Sequence, residues 1–304
     1  MKNFKILVLV VFIVSCGNND FNAPKSFFGK PNLQLVSESE VLSDHMAGLV
    51  GTFITIFPAE EGMEEFVIST CSGVKLSEEF ILTANHCQLK ESYFHVKWLA
   101  KNSDLNKFSF KVYGNLVRLI YDGDFISNLM DPSYYSPLVE KVFSSDNFDF
   151  AIWRVESNLP PPFLKFNKLA TRSENWSLYS FPHGIPLAKT SSCRGEVTDV
   201  HVYHNCDSLS GSSGGLVVGG LYPLALHQQG PGRNSGEFYK EHGRFEDVEE
   251  FKEKSACGNN DSGTEKECNK RIGMNRATRL DFILELVRND DPLLYARISE
   301  REKK

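Results

Sequence analysis

From residue 46 onward, turn-forming residues divide the chain roughly every eight to twelve positions, and this spacing restricts the fold more than any other feature. The runs between the turns are short and rich in Val, Ile, Phe and Thr, as in residues 49–57 (LVGTFITIF) and 80–83 (FILT). Many such runs in series predict an all-β chain, either a barrel or a sandwich. Residues 280–287 differ, because their apolar side chains repeat at i, i+3, i+4 and i+7, which predicts a helix.

The composition is that of a globular protein without a basic surplus. The 304 residues include 33 Lys and Arg against 39 Asp and Glu, a formal net charge of −6, and 41% of the chain is hydrophobic. That balance excludes wholesale disorder. It leaves no excess of cations to neutralise phosphates, so we predict no nucleic-acid partner. The run Pro160-Pro161-Pro162 predicts a boundary between two halves, and the segment 229–270, which is poor in apolar residues, predicts a surface insertion.

The N-terminus has the features of an export signal. Lys2 and Lys5 provide positive charge ahead of residues 6–14, which are nine apolar residues in succession. Nine residues of helix rise only about 13.5 Å, less than half of a hydrocarbon core of about 30 Å. The run is therefore too short to cross a membrane, and it predicts a signal peptide over residues 1–15.

The residues that end this segment, Val14-Ser15-Cys16-Gly17, resemble the bacterial lipobox, although Ile13 stands where Leu is commoner. The resemblance implies that Cys16 is lipidated and becomes the mature N-terminus. The alternative is ordinary cleavage near Ser15 with an incidental cysteine. Residues 16–45 are rich in Asn, Ser, Lys and Pro and predict a flexible tether. We therefore expect an exported protein of the bacterial cell envelope that is anchored to the membrane by lipid, with secretion as the alternative.

Three short motifs each adjoin a predicted strand. Thr83-Ala84-Asn85-His86-Cys87 follows one strand, Asp149 opens the next, and Gly211-Ser212-Ser213-Gly214-Gly215 precedes a third. Together, in the order His, Asp, Ser, they resemble the chymotrypsin-like serine peptidases over residues 46–290. The resemblance implies an all-β fold of two antiparallel six-stranded β-barrels with a C-terminal α-helix. The barrels would span about 46–158 and 163–290, and residues 291–304 would form a tail.

The resemblance also assigns roles to the motif residues. Ser213 would be the nucleophile, which needs a neighbouring base to take its proton. His86 would be that base and Asp149 would hold its tautomer, while the amides of Gly211 and Ser213 would bind the oxyanion. Asp149 is preferred over the alternatives Asp146, Asp122 and Asp124 because an apolar strand follows it directly. Chemistry of this kind implies protein or peptide substrates, no cofactor and no metal.

A second enzyme class shares part of this pattern. The sequence G-x-S-x-G also matches the nucleophile elbow of α/β-hydrolases, which requires a strand, a turn and a helix, with the acid and the histidine after the serine. In this chain Leu216-Val217-Val218 is followed by two glycines, which predicts a strand rather than a helix. His86 and Asp149 also precede Ser213, so the α/β-hydrolase interpretation is excluded.

The cysteines agree with an exported protein. Six remain if Cys16 is lipidated, no C-x2-C pair occurs, and an oxidising compartment favours disulfides over zinc. The peptidase resemblance implies a Cys71–Cys87 disulfide beside the catalytic histidine. Cys193–Cys206 and Cys257–Cys268 would then be the remaining pairs.

The sequence offers two alternatives for the residue that is recognised before the scissile bond. Asp207 and Ser208 stand where trypsins recognise Arg or Lys, which we favour narrowly, whereas His227 lies in a segment that resembles the glutamyl endopeptidases and would contact a substrate Glu. Ser212 replaces the Asp with which animal trypsins bind a freed N-terminus, so the chain is more similar to the bacterial enzymes. A catalytically silent homologue that binds peptides is the alternative from another functional class.

Overall fold

The structure is a computed structural model that describes residues 33–36, 40, 43–58, 66–87, 93–95, 108–113, 116–121, 135–156, 159, 161–170, 175–182, 187–208, 211–230 and 274–299. The signal peptide, Cys16, Asp122, Asp124 and the Cys257–Cys268 pair lie outside the described residues, as does nearly all of the insertion. No helix among the described residues is long and apolar enough to cross a membrane.

Strands dominate the described chain, in agreement with the turn spacing. The strands are β1 Leu33–Leu35, β2 Val50–Pro58, β3 Phe66–Lys75, β4 Phe80–Thr83, β5 Tyr93–His95, β6 Phe108–Tyr113, β7 Leu116–Tyr121, β8 Tyr135–Ser145, β9 Phe150–Val155, β10 Trp176–Ser180, β11 Ala188–Cys193, β12 Gly195–Val197, β13 His201–His204, β14 Leu216–Gly219, β15 Tyr222–Gln229 and β16 Asn275–Arg279. The α-helices are α1 His45–Leu49, α2 Leu280–Asp290 and α3 Pro292–Ser299, and 3₁₀ turns lie at Asn85–Cys87 and Phe166–Lys168.

The first half of the chain forms a closed six-stranded barrel. Its strands follow the order β2-β3-β4-β9-β8-β5, and every pair is antiparallel. The pair β6–β7 forms a separate two-stranded sheet. A closed barrel leaves no unpaired strand edge, so each of its six strands is hydrogen-bonded on both sides.

The second half is an antiparallel sheet of eight strands in the order β1-β11-β10-β14-β15-β16-β13-β12. The disulfide Cys193–Cys206 joins the end of β11 to the segment after β13, so strands near the two ends of the sheet come together and the sheet is curled. Thr190 Oγ1 on β11 also donates to the carbonyl of Asp207, at 2.9 Å. The predicted fold class is confirmed. The difference in detail is that β1 and β12 extend the central six strands, so backbone pairing alone does not close this second unit.

One large apolar cluster joins the barrel to the sheet. It contains Val74, Leu82 and Phe150 of the barrel together with Phe181 and Leu216 of the second half. Smaller clusters fill the interior of each half separately. Because the largest apolar cluster is shared, the two halves pack as one body, and the position of one half relative to the other is fixed.

The C-terminal helices also connect the halves. The apolar face predicted for residues 280–287 is buried, and α2 continues to Asp290. Within the segment assigned to a tail, residues 292–299 form α3, which returns to the barrel. There the guanidinium of Arg297 lies 3.1 Å from the carboxylate of Glu79 and 4.8 Å from the centre of the Phe80 ring.

At the other end of the chain, Asp44 links α1 to the second sheet. Its Oδ1 accepts from the backbone N–H groups of Met46 and Ala47, at 3.0 and 3.4 Å, which caps the helix. Its Oδ2 accepts from the hydroxyl of Tyr179 at 2.6 Å and from Nζ of Lys189 at 3.3 Å. Burial raises the pKa of Asp44, but the bond from Tyr179 and the charge of Lys189 outweigh it, so the pKa lies below its usual value.

We expect Asp44→Ala to lower the free energy of unfolding by about 1–2 kcal/mol at pH 7, the usual cost of losing a helix cap and a charged hydrogen bond. Because the folded-state pKa is lowered, this contribution is present above the unfolded-state pKa and is lost as the pH falls through the folded-state pKa. Denaturant titrations at pH 7 and pH 2.5 should therefore show a difference between the two proteins that shrinks on acidification. Asp290→Ala, at an exposed carboxylate, is the control, and an undiminished difference at pH 2.5 would contradict the assignment.

Candidate active site

His86 lies in the 3₁₀ turn that directly follows the buried strand β4. The disulfide Cys71–Cys87 ties this turn to β3, and the pair Cys193–Cys206 is also present, as the resemblance implies. The buried strand and the disulfide thus fix the backbone on both sides of the imidazole, whose side chain remains one-third exposed. His86 is therefore held in place while its ring stays accessible.

Asp149 immediately precedes β9 and is bound to His86 twice. Its Oδ1 accepts from the backbone N–H of His86 at 2.9 Å, and its Oδ2 lies 2.7 Å from Nδ1 of the ring. A carboxylate can only accept, so Nδ1 carries a proton and the neutral ring presents Nε2 as a base. The nearby Asp146 instead accepts from the side chain of Asn85. The carboxylate that contacts the imidazole is that of Asp149.

The backbone at Asp149 has φ +49, in the left-handed region that costs energy for most L-residues. Contacts from the second sheet surround this position. Nε2 of Gln228 donates to the carbonyl of Asp149 at 3.0 Å and also to that of Phe148, and Thr278 Oγ1 donates to the Phe148 carbonyl at 3.1 Å. The sheet therefore supports the strained backbone from which the carboxylate projects.

Ser213 lies in a tight loop where the barrel and the sheet meet. Gly214 has φ +83, and a Cβ there would come within 1.9 Å of the Ser72 carbonyl oxygen, so only glycine fits. The Ser213 hydroxyl donates to the carbonyl of Gln228 at 3.0 Å. In this conformation the hydroxyl is therefore satisfied by a carbonyl of β15.

Two buried histidines lie behind the site. The Cys206 N–H donates to Nδ1 of His204 at 3.2 Å, so the neutral ring of His204 carries its proton on Nε2. That nitrogen lies 3.1 Å from Nδ1 of His227, which must then accept, leaving Nε2–H of His227 as a donor. The Cys206 backbone N–H therefore determines which ring nitrogen carries the proton in both His204 and His227.

Burial, and then the electrostatic interaction with His86, lower the pKa of His227 to about 3, although Asp149 opposes them. The pKa of His204 is also lowered, mainly by burial and then by the electrostatic interaction with His227. Both imidazoles are therefore neutral near pH 7. The backbone of His227 is paired with the loop that carries Ser213, because its carbonyl accepts from the Gly214 N–H at 2.7 Å and its N–H donates to the Gly215 carbonyl at 2.8 Å.

Asp207 and Ser208, the other candidate specificity residues, are buried just after β13. Ser208 Oγ donates to Oδ1 of Asn275 at 3.3 Å, while the Asp207 carbonyl accepts from Thr190. Across the described part of the chain, no group of three or more His, Cys, Asp and Glu side chains could hold a metal ion.

Sequence reasoning missed several residues of this site. Gln228 contacts both Ser213 and Asp149, Ser72 contacts Gly211 in the loop that carries Ser213, and His204 orients His227. Each of them lies on a strand without any motif of its own. Only their position beside motif residues on neighbouring strands gives them a role, and a single sequence does not show which strands are neighbours.

Comparison with known proteins finds no matching family model and no matching curated protein. Solved structures with partial similarity are serine endopeptidases and related proteases. A serine endoprotease from Yersinia pestis has 12% identity and a TM-score of 0.47, covering 88% of this chain and 69% of its own. A Glu endopeptidase has 13% identity and a TM-score of 0.46, covering 87% and 99%. A protease from M. tuberculosis in its active form has 14% identity and a TM-score of 0.40, covering 68% and 82%. Similarity at this level assigns no function.

Proposed function

We propose that this chain is a serine endopeptidase in which His86, Asp149 and Ser213 form a catalytic triad. The observation that carries the proposal is the pair of hydrogen bonds between Asp149 and His86, at 2.9 and 2.7 Å. This pair leaves Nε2 as the basic nitrogen of a fixed ring, and Gln228, which contacts both Ser213 and Asp149, brings the serine into the same region of the molecule. Such a constellation is the arrangement required for acyl transfer.

The proposed reaction proceeds in two halves. Ser213 Oγ turns from the Gln228 carbonyl, attacks the substrate carbonyl carbon and gives its proton to His86 Nε2. The amides of Gly211 and Ser213 are proposed to donate to the resulting oxyanion. The C–N bond then breaks as Nε2 returns the proton to the leaving amine. In the second half, water is deprotonated by Nε2, cleaves the acyl ester and restores the serine hydroxyl.

Ser213→Ala and His86→Ala should each remove nearly all peptidase activity, with a loss of about 10⁴-fold or more in kcat, and the double variant should be little worse because the triad acts as a unit. Asp149→Asn should also lose several orders of magnitude. Asp146→Asn is the matched control, since that carboxylate contacts Asn85 instead, and it should have a mild effect. Casein hydrolysis and labelling by a fluorophosphonate measure the outcome. Wild-type turnover by His86→Ala would refute the triad.

A second candidate function is a silent homologue that binds peptides in the same cleft. The observation that favours it is the Ser213 hydroxyl, which donates to the Gln228 carbonyl in this structure. The fluorophosphonate experiment distinguishes the two functions, because only an activated serine reacts readily. Absence of labelling in the folded wild-type protein would favour the binding function.

For specificity, the contacts support recognition of an acidic side chain through His227 better than recognition of Arg or Lys through Asp207. The hydrogen bonds from Cys206 through His204 leave one N–H donor on His227, and the backbone of His227 is hydrogen-bonded to Gly214 and Gly215 in the loop that carries Ser213. A neutral N–H donor suits a carboxylate acceptor. Asp207 remains the alternative, because a buried carboxylate would pair with a substrate cation.

A peptide library should therefore be cut after Glu, and His227→Ala should lower that preference by about tenfold or more, the usual value of a charged hydrogen bond. Because the pKa of His227 is about 3, its ring stays neutral, and the preference should remain constant between pH 6 and pH 9. Asp207→Ser is the paired variant. Cleavage after Arg and Lys that is lost in Asp207→Ser and kept in His227→Ala would establish the alternative pocket.

We further propose that the protein is exported and anchored to the membrane through a lipid on Cys16. The two disulfides support export, since such bonds persist in oxidising compartments. Mass spectrometry of the mature N-terminal peptide should show diacylglycerol on Cys16. Cys16→Ser removes the attachment site for these acyl chains and should move the protein to the soluble fraction, because firm membrane retention requires more than one acyl chain. Ser15→Ala, which keeps a small residue before the cysteine, should remain membrane-bound. A mature N-terminus beyond an unmodified Cys16 would contradict the anchor.

A further inference from the structure

Ser72 is a buried polar residue of the barrel that reaches into the second half of the molecule. It follows Cys71 on β3 and has no exposed surface. Its hydroxyl lies 2.8 Å from the carbonyl of Gly211 and 2.8 Å from the backbone nitrogen of Phe181. Both partners belong to the second half, since Phe181 follows β10 and Gly211 begins the loop that carries Ser213, so one hydroxyl connects three segments.

The direction of these hydrogen bonds is determined. The N–H of Phe181 can only donate, so the Ser72 oxygen accepts from it and its own proton goes to the Gly211 carbonyl. The backbone of Ser72 is engaged as well. Its N–H donates to the carbonyl of Ser213 at 2.7 Å, and its carbonyl accepts from Thr83 Oγ1 at 2.7 Å. Ser72 therefore holds the carbonyls of both residues whose amides are the proposed oxyanion donors.

We infer that Ser72 is a positioning residue for the oxyanion hole, an inference that rests on the proposed peptidase function. The Ser213 amide lies in the peptide between the two carbonyls that Ser72 holds. Fixing those carbonyls limits how far the intervening peptide can turn. Removing the hydroxyl frees the Gly211 carbonyl while the bond from the Ser72 backbone to Ser213 remains. The oxyanion donors then lose alignment without losing the loop.

The chain offers a matched control in Thr52. This residue lies directly opposite Ser72 in the β2–β3 pairing and is also fully buried. Its hydroxyl donates to the carbonyls of Cys71 and Phe53, at 3.1 and 3.3 Å, within the barrel. Thr52→Val thus removes a buried hydroxyl from the same layer without touching the loop that carries Ser213.

The experiment compares Ser72→Ala with Thr52→Val in the full-length protein. Ser72→Ala should lower kcat by about tenfold or more and leave KM within about twofold, because oxyanion contacts act on the transition state. It should weaken binding of a peptide aldehyde by a similar factor and raise the carbonyl stretching frequency of the acyl-enzyme. Thr52→Val should lower only the melting temperature. Should Ser72→Ala fail to fold, Ser72→Gly leaves room for a water between Phe181 and Gly211, and a smaller loss of kcat in the same direction is expected because a water is held less firmly than an attached hydroxyl.

Two results separate the hypotheses. A folded Ser72→Ala enzyme with wild-type kcat and aldehyde affinity would show that Ser72 serves stability alone, and the triad would stand. A wild-type protein that neither cleaves casein nor reacts with a fluorophosphonate would overturn the peptidase function itself, and the role of Ser72 in catalysis with it.

Discussion

The peptide bond between Ser213 and Gly214 is hydrogen-bonded to both halves of the molecule, and the candidate site depends on it. Its carbonyl accepts from the Ser72 N–H on the barrel, and its N–H donates to the His227 carbonyl on the sheet, both at 2.7 Å. Because the two bonds point in opposite directions, the peptide cannot turn without breaking one of them. The position of Ser213 relative to His86 is therefore set by how barrel and sheet pack, rather than by the loop alone.

That packing is reinforced from both ends of the described chain. Asp44, ahead of the barrel, contacts Tyr179 of the sheet, and Arg297 of α3, after the sheet, contacts Glu79 of the barrel. The Arg297 pair is exposed and contributes little by itself. The partly buried Asp44 contacts and the shared apolar cluster contribute more, because they exclude water and are lost together if the halves separate.

The sequence predicted those parts of the molecule whose signal is local. Apolar runs between turns gave most strands, the period of residues 280–287 gave α2, and the motif around His86 placed it after a buried strand. The pairing of β1 with β11 and the return of α3 to the barrel were not predicted, because both depend on contacts between distant segments. The same reason explains why Gln228 was missed. It is one polar residue in a strand until the fold brings it to Asp149, 79 positions away in sequence.

The polar character of the interface follows from what a site of this kind requires. Apolar contacts hold two surfaces together but tolerate sliding, whereas the hydrogen bonds that Ser72, Gln228 and Thr278 make between the halves fix direction as well as distance. Buried polar groups carry a cost, since each unpaired one is unfavourable by about 1–3 kcal/mol. The amide nitrogen of Gln228 is paired, because it donates to the carbonyl of Asp149 at 3.0 Å. That bond supports a strained backbone with φ +49, so the protein gives up stability at the point where the proposed chemistry needs the carboxylate held in one orientation.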